Sequence, residues 1–323
     1  YSELERIYGI NRKKIKRMLK VTAKSVIFTG DNFHKSFNQS PIAKHIAYTK
    51  DNNGQTNIIP ISYHVSLGNE CNSACKMCEV ISSSKFAAEL KAKGMYNGPV
   101  RINWTDNNMA WNSFLNTVKS TKNIKALHII GGEPFIMPKF IELVDWLINN
   151  NITDIYLGVT TNGTVFNKYL LDQLSKFTHL DLGISIEAVS KLNDDIRISN
   201  VKIDKVLENI LKIKEYRSDR FYITLRTVPS LLSVGEYDKM LDYSLSIDIP
   251  IMSNMLTHPE YLRIENLPIE TKKHLCEKFN QWLHNFELKY NIKATDIFND
   301  RDPNQILHTS RKEMVSIINS LRV

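Results

Sequence analysis

The chain has 323 residues, of which 42% are hydrophobic and 24% charged, with a formal net charge of +8. This composition is typical of a soluble globular protein, and no apolar run approaches the roughly 20 residues of a membrane-spanning helix. Four cysteines, three of them clustered, argue against a disulfide framework and for a reducing compartment. We therefore expect a cytoplasmic protein without a membrane segment.

The positive charge is concentrated in the first 50 residues, which hold 11 Lys and Arg against 3 Asp and Glu. Out of totals of 42 and 34, this leaves 31 of each sign for the rest of the chain. A basic patch of this kind attracts a nucleic acid or an acidic peptide or protein. Without interleaved aromatic residues, the solvated face of a helix is the favoured interpretation. We treat residues 1–57 as a basic N-terminal extension.

From residue 58 the chain alternates short apolar runs with longer amphipathic segments, which indicates parallel strands joined by helices. The predicted strands are 61–67, 125–130, 154–159, 180–186, 221–227 and 248–253. The predicted helices lie near 82–93, 110–120, 138–149, 167–176, 201–216 and 234–246. Right-handed crossovers would arrange these six β/α units as an open, partial TIM-like α/β barrel over 58–262. The purely helical pattern that follows predicts a C-terminal helical extension over 263–323.

The first predicted strand is followed by Cys71, Cys75 and Cys78, in the run Cys-Asn-Ser-Ala-Cys-Lys-Met-Cys. Three thiolates are one fewer than the four that usually saturate an iron–sulfur cluster, so a [4Fe–4S] cluster held here has one open iron. A structural zinc site is the alternative, but it generally needs a fourth ligand and favours C-x2-C pairs. The only other cysteine, Cys276, is about two hundred residues away. The spacing therefore favours the cluster.

Glycine-rich or polar motifs follow the next three strands at their carboxyl ends, where ligands bind in parallel β/α folds. The second strand ends in Gly131-Gly132-Glu133-Pro134, whose glycines let the backbone approach a ligand closely. The third ends in Thr160-Thr161-Asn162-Gly163 and the fourth runs into Ser185-Ile186-Glu187. Alternation along the fourth strand points its serine and glutamate to the same side. These motifs predict a ligand site beside the cysteines.

Arg197 follows the fourth strand, ahead of an amphipathic helix. A guanidinium suits the bidentate binding of a carboxylate ligand. The alternative is a surface ion pair with Asp194 or Asp195, and the sequence alone leaves both open.

The cysteine spacing and the order of the motifs resemble the radical S-adenosylmethionine (SAM) superfamily over roughly residues 58–260. The resemblance implies one [4Fe–4S] cluster, SAM bound to its open iron, and a one-electron reductant of the flavodoxin or ferredoxin kind. Reductive cleavage of SAM would then give a 5′-deoxyadenosyl radical that abstracts a hydrogen atom from a substrate. The chain is thus expected to be an oxidoreductase of the radical type.

The resemblance also implies which residues contact SAM. The Gly-Gly-Glu motif would receive its amino group, the strand-four residues its ribose and methionyl part, and the arginine its carboxylate. A methionine stands where the family usually has an aromatic residue near the adenine. The family often has Asp-Gly after the serine, whereas Glu187-Ala188 stand here, so Glu187 is equally well a structural hydrogen-bond partner. The implied SAM contacts are Met77, Gly131, Gly132, Glu133, Thr161, Asn162, Ser185, Glu187 and Arg197.

The helical tail, with Leu-Pro-Ile-Glu-Thr-Lys at 267–272, resembles radical SAM proteins with a twitch extension, several from phages and marine bacteria. Such extensions carry further clusters on additional cysteines, and Cys276 alone cannot hold one, so we expect a single cluster. These relatives make a peptide or protein side chain the leading substrate, and the basic N-terminus makes a nucleotide or RNA the second. A third hypothesis is an iron–sulfur redox sensor or structural binding protein. The strand-end motifs disfavour it, because a sensor needs no SAM pocket.

Overall fold

Six parallel strands lie side by side in chain order in the computed structural model of the protein. The structure describes residues 61–121, 124–292 and 305–322, so the predicted extension over 1–57 lies outside the described residues. The strands are β1 (Ser62–Ser66), β2 (Ala126–Ile130), β3 (Tyr156–Thr161), β4 (His179–Ser185), β5 (Phe221–Thr227) and β6 (Ile251–Ser253). Within the described residues β1 and β6 do not pair with each other, so the sheet is open. The predicted α/β partial barrel is confirmed.

β3 and β6 depart furthest from their predicted limits. β3 runs two residues further than predicted, because its pairing with β4 continues to Thr161 and Ile184. β6 begins only at Ile251, three residues later than predicted. Two residues explain the late start, since Asp248 has a positive φ of 52° and Pro250 has no amide hydrogen to donate to a strand ladder.

Helices follow the strands. The helices of the described residues are α1 (Ser84–Ala92), α2 (Asn108–Ser120), α3 (Pro138–Asn149), α4 (Lys168–Leu174), α5 (Leu192–Arg197), α6 (Ile203–Lys214), α7 (Tyr237–Ser246), α8 (Ile269–Tyr290) and α9 (Gln305–Leu321). The six predicted connecting helices correspond to α1, α2, α3, α4, α6 and α7. The short helix α5, which ends at Arg197, is not among the predicted elements. None of these helices combines the length and hydropathy of a membrane span within the described residues.

Side-chain caps explain where several helices begin. The Ser83 hydroxyl accepts from the Phe86 amide at 3.1 Å at the start of α1. The Asn107 side chain accepts from two amides of the first turn of α2, which therefore begins before the predicted residue 110. Serine and asparagine are favoured N-cap residues because their oxygens satisfy amides that lack a partner within the helix.

The two faces of the sheet differ because side chains alternate along each strand. One face packs into the hydrophobic core shared with the helices, through Leu127, Ile129, Leu157, Val159, Leu182, Ile184, Ile223 and Leu225. The other face carries polar residues and a glycine in one register row, namely His64, His128, Gly158 and Asp181. The polar face of the sheet is therefore the one turned away from the hydrophobic core.

The C-terminal helices pack against α7 and the edge strand β6. Leu275 and Phe279 of α8 and Met314 of α9 are buried in the main core. The Glu313 carboxylate accepts from the Tyr237 hydroxyl at 3.0 Å and from the backbone amide and hydroxyl of Ser253. Because an uncovered edge strand invites unwanted pairing, this contact also protects β6.

Candidate functional site

The cysteine loop, which we define as residues 68–80, leaves β1 at the carboxyl edge of the sheet. Cys75 is buried, and Cys71 and Cys78 are partly buried. The loop is fixed at its start by the fully buried Asn69, whose side-chain amide donates to the carbonyls of Val80 (2.8 Å) and Val100 (2.9 Å). One side chain thus joins the two ends of the loop to the segment that precedes α2.

The beginning of α1 organises the loop from one side. The Ser83 hydroxyl donates to the Ser73 carbonyl at 2.6 Å, in addition to capping the helix. The Ser84 hydroxyl accepts from the Cys71 amide at 3.1 Å, and the Ser84 amide donates to the Asn69 carbonyl at 2.6 Å. These serines were missed by the motif analysis, although a serine before a helical pattern is a known start signal.

The end of α5 holds the loop from the other side. The Lys76 amide donates to the Ile196 carbonyl at 2.9 Å, and the Ala74 amide donates to the Ile198 carbonyl at 3.2 Å. An antiparallel bridge between Ser73 and Ser199 continues this pairing. We call this set of contacts, between residues 73–76 and 196–199, the loop ladder. It holds the cysteine loop against a segment far away in the sequence.

The two glycines after β2 pack against the cysteine loop. A Cβ atom on Gly132 would lie 2.3 Å from the Glu70 carbonyl oxygen, and one on Gly131 would lie 2.7 Å from the Gly68 carbonyl oxygen. Both glycines also have positive φ values, 56° and 85°. These contacts are within the protein itself, and the predicted close approach to a ligand stays a prediction. The glycines thus let the Gly-Gly-Glu turn rest on the cysteine loop.

Glu133 joins the turn after β2 to the turn after β3. Its carboxylate is buried and accepts three hydrogen bonds. The donors are the Thr161 hydroxyl at 2.6 Å, the Asn162 backbone amide at 2.5 Å and the Phe135 backbone amide at 3.0 Å. Burial raises the pKa of Glu133, and the hydrogen bonds lower it only in part. Hydrogen bonds therefore join the predicted Gly-Gly-Glu and Thr-Asn-Gly motifs to each other.

Asn162 links these motifs to the cysteines. Its side-chain nitrogen donates to the Asn72 side chain at 2.8 Å and lies 4.0 Å from the Cys71 sulfur. Its side-chain oxygen accepts from the amide and the hydroxyl of Thr164, at 3.0 and 2.6 Å. The orientation of the asparagine is thus fixed from both ends.

Glu187 and Arg197 form a buried ion pair. The Arg197 Nη2 atom lies 2.8 Å from a Glu187 carboxylate oxygen, and their side chains are 13% and 0% exposed. The other carboxylate oxygen accepts from the Thr227 hydroxyl at 3.0 Å and the Val228 amide at 2.9 Å. The predicted alternative for Arg197, a surface pair with Asp194 or Asp195, is wrong, because α5 folds the arginine back toward β4. Of the two roles left open for Glu187, the structure shows the hydrogen-bonding one.

The three thiols differ in electrostatic environment. Burial raises the pKa of Cys71 to about 11. A hydrogen bond from the Cys78 thiol, helped by the Arg197 charge, lowers the pKa of Cys75 to about 7 against the opposing effect of burial. The pKa of Cys78 is raised, since that thiol is the donor of the shared hydrogen bond. The thiolate is the form that binds metal, and Cys75, with the lowest pKa of the three, is the thiol that loses its proton most readily.

The described residues contain no group of three His, Cys, Asp or Glu side chains that converges to hold one metal ion. A zinc ion needs its donors around one point at about 2.3 Å from sulfur. A cluster needs no such convergence, because its thiolates bind different irons. The buried Arg197 Nε atom has no hydrogen-bond partner among the described residues. Three neighbouring thiols beside this unpartnered donor fit an anionic cluster and its ligand.

Two further predicted SAM contacts lie at the same edge of the sheet. Ser185 ends β4, in register with Arg226 of β5. Met77 is partly buried within the cysteine loop. The structure thus brings all nine predicted SAM contacts to the carboxyl end of the sheet, while their roles toward SAM stay a prediction.

A profile of the Radical SAM superfamily matches residues 65–246, more than half of the chain. The chain therefore belongs to the radical SAM superfamily, a class of enzymes that use a [4Fe–4S] cluster and SAM. No curated protein sequence matches the chain significantly.

Solved structures share its fold. Streptococcus suis SuiB bound to SAM has 16% identity and a TM-score of 0.51, with 90% of this chain and 60% of SuiB covered. SuiB bound to its precursor peptide SuiA has 15% identity and a TM-score of 0.51, with 92% and 66% covered. The chain thus spans about 60% of the length of SuiB bound to SAM. The resemblance of its tail to twitch extensions is not tested by these likenesses and stays a prediction.

Proposed function

We propose that Cys71, Cys75 and Cys78 hold one [4Fe–4S] cluster, and that the enzyme uses SAM to modify a peptide or protein side chain by radical chemistry. The strongest support is that hydrogen bonds join the cysteine loop, the Gly-Gly-Glu turn and the Thr-Asn-Gly turn into one network at the carboxyl end of the sheet. When bound, the cluster supplies the electron that cleaves SAM reductively.

The protein's own residues would bind and orient SAM. A carboxylate offers about four acceptor sites. Glu133 uses three of them for protein donors, which leaves one for the amino group of SAM. One nitrogen of Arg197 is bound to Glu187, which leaves the rest of its guanidinium for the SAM carboxylate.

The remaining contacts would orient the nucleoside part of SAM. Ser185, at the end of β4, would contact the ribose and the Met77 backbone the adenine. Gly131, Gly132, Thr161 and Asn162 would shape the backbone around the methionyl part. Glu187 would act through Arg197, to which its carboxylate is bound.

A peptide or protein substrate is supported at the level of fold, since the chain resembles a structure that holds a precursor peptide. A nucleotide or RNA is the second candidate, favoured by the basic charge of the first 50 residues. A one-electron donor of the flavodoxin or ferredoxin kind completes the proposal.

The test is anaerobic reconstitution with iron and sulfide, followed by dithionite, SAM and a chromatographic assay for 5′-deoxyadenosine. About four irons per chain and formation of 5′-deoxyadenosine are expected, and both are lost in the triple Cys→Ala variant. A stable cluster without SAM cleavage would instead support the redox-sensor hypothesis. Seven or eight irons, by contrast, would show a second cluster.

The substrate class is tested separately by the salt dependence of binding. RNA binding that falls steeply with salt supports the nucleic-acid alternative, because it reflects counterion release from phosphates. Salt-insensitive binding of a peptide, with stimulated SAM cleavage, supports the leading proposal.

A further inference from the structure

The loop ladder places Arg197 opposite Cys75. The carbonyl of Ile196, just before the arginine, accepts from Lys76, and the carbonyl of Ile198, just after it, accepts from Ala74. The two residues thus occupy the centre of one backbone pairing. Because the bonds on either side fix the backbone of both residues, the arginine is held beside the cysteine loop before any cofactor binds.

The charge on this arginine is permanent and poorly solvated. A guanidinium stays protonated in proteins. Its side chain is 13% exposed, and its one carboxylate partner among the described ion pairs is the fully buried Glu187. Glu187 is in turn held by the Thr227 hydroxyl and the Val228 amide at the end of β5. Neither charge is therefore free to turn away from the site.

We infer that Arg197 and Glu187 set the reduction potential of the cluster, with Arg197 as a fixed positive charge and Glu187 as the residue that positions and partly offsets it. The inference rests on the proposed function, since it requires a cluster on the three cysteines. Reduction adds one electron to the cluster, so a fixed positive charge nearby favours the reduced form. Buried charges act more strongly than exposed ones because water screens them less.

The pair predicts shifts of opposite sign. Arg197→Gln removes the positive charge and should lower the potential, so that the cluster becomes harder to reduce. Glu187→Gln removes the negative charge with little change of shape and should raise it. Arg197→Lys keeps the charge and should stay close to the wild type. We expect each neutral variant to change the ratio of reduced to oxidised cluster about tenfold, or about 59 mV for one electron.

The experiment is a redox titration of the reconstituted full chain without SAM, with dithionite and mediators, followed by the electron paramagnetic resonance signal of the reduced cluster. Iron per chain is counted for each variant. Arg311→Gln and Glu287→Gln are matched controls, because this ion pair between α9 and α8 is also partly buried and joins two elements of the tail. Both controls should titrate like the wild type.

The inference is supported if the reduction potential of Glu187→Gln lies above that of the wild type, that of Arg197→Lys lies near the wild type, and that of Arg197→Gln lies below it. Equal potentials, or equal shifts for the two Arg197 variants, overturn it, as does a lowered potential in Glu187→Gln. If Arg197→Gln binds less iron, the Glu187→Gln potential decides alone. A wild-type chain that binds no iron defeats the proposed function itself, which is a different outcome from iron-loaded variants with unchanged potentials.

Discussion

The hydroxyl of Thr161 donates a 2.6 Å hydrogen bond to the buried carboxylate of Glu133. Through this bond the turn after β3 is tied to the turn after β2, and each turn also contacts the cysteine loop. The two motifs that are predicted to contact SAM are therefore held together by the protein itself. A disturbance at one of them is expected to reach the other.

Replacing Glu133 should reveal this dependence. Glu133→Ala leaves the Thr161 hydroxyl and the Asn162 and Phe135 amides buried without their acceptor. An unsatisfied buried group costs about 1–3 kcal/mol, so the free energy of unfolding should fall by about 3 kcal/mol or more. Denaturant unfolding measures the loss.

Glu133→Gln separates the hydrogen bonds from the charge. Its amide oxygen still accepts, so it should lose less stability than Glu133→Ala, about 1–2 kcal/mol. Glu270→Ala is the control, because that glutamate is exposed and pairs only with Lys273 among the described contacts. Its loss should be below about 1 kcal/mol. Equal losses for the two Glu133 variants would contradict this account.

Gly132→Ala should disturb the cysteine loop. The added Cβ atom would lie 2.3 Å from the Glu70 carbonyl oxygen, and φ is already positive at 56°. The matched control is Gly94→Ala, where φ is 69° but nothing lies within 4 Å of the Cβ position. The control pays only the strain of a left-handed backbone, about 1–2 kcal/mol.

We therefore expect a larger fall in melting temperature, and fewer irons per chain after reconstitution, for Gly132→Ala than for Gly94→Ala. The iron count matters most here, because backbone strain alone does not predict a loss of metal. The same iron content in both variants would argue against a close fit between the turn and the loop.

The attachment of α9 to the barrel is tested by a double-mutant cycle. Glu313 accepts from the Tyr237 hydroxyl at 3.0 Å and from the Ser253 amide at 3.2 Å. Glu313→Ala should cost about 2–3 kcal/mol, since it leaves these donors without an acceptor. Tyr237→Phe should cost less in the Glu313→Ala background than in the wild type. Additive losses in thermal or denaturant unfolding would show that the pair is not coupled.

Cys276→Ser tests the prediction of a single cluster. The Cys276 thiol lies 4.0 Å from the Ile318 carbonyl oxygen, in the contact between α8 and α9. We expect the reconstituted variant to retain about four irons per chain and the optical spectrum of the wild type. Loss of iron on this substitution, without loss of iron on Cys75→Ser, would place a metal site in the tail.

The strands were predictable from the sequence because each is a short apolar run bounded by turn residues. The order of the motifs along the chain also predicted which edge of the sheet carries them, since parallel strands end at one edge. Near Pro250 the same reasoning failed, because the apolar run begins before the strand itself, which starts at Ile251. Hydrophobicity reports burial, not hydrogen bonding.

The side-chain partners in the site were not predictable in this way. Arg197 has Asp194 and Asp195 close to it in sequence, yet its partner is Glu187, because the unpredicted helix α5 turns the arginine back. The close packing of Gly132 on the Glu70 carbonyl likewise had no signal in the sequence. Asn69, the fully buried anchor of the loop, gave no signal, since a single asparagine after a strand is common. These pairings depend on tertiary contacts between segments that are distant in sequence.

The loop ladder has a consequence for how the protein fluctuates. The amides of Ala74 and Lys76 are bonded to carbonyls on either side of Arg197, so exposing them to solvent requires the cysteine loop and the end of α5 to separate. Amides that open in one event exchange their hydrogens with one free energy. We therefore expect the loop and the end of α5 to open together, as one unit across the first and fourth β/α units. Slower exchange at these two amides would report on metal loading without any enzymatic assay.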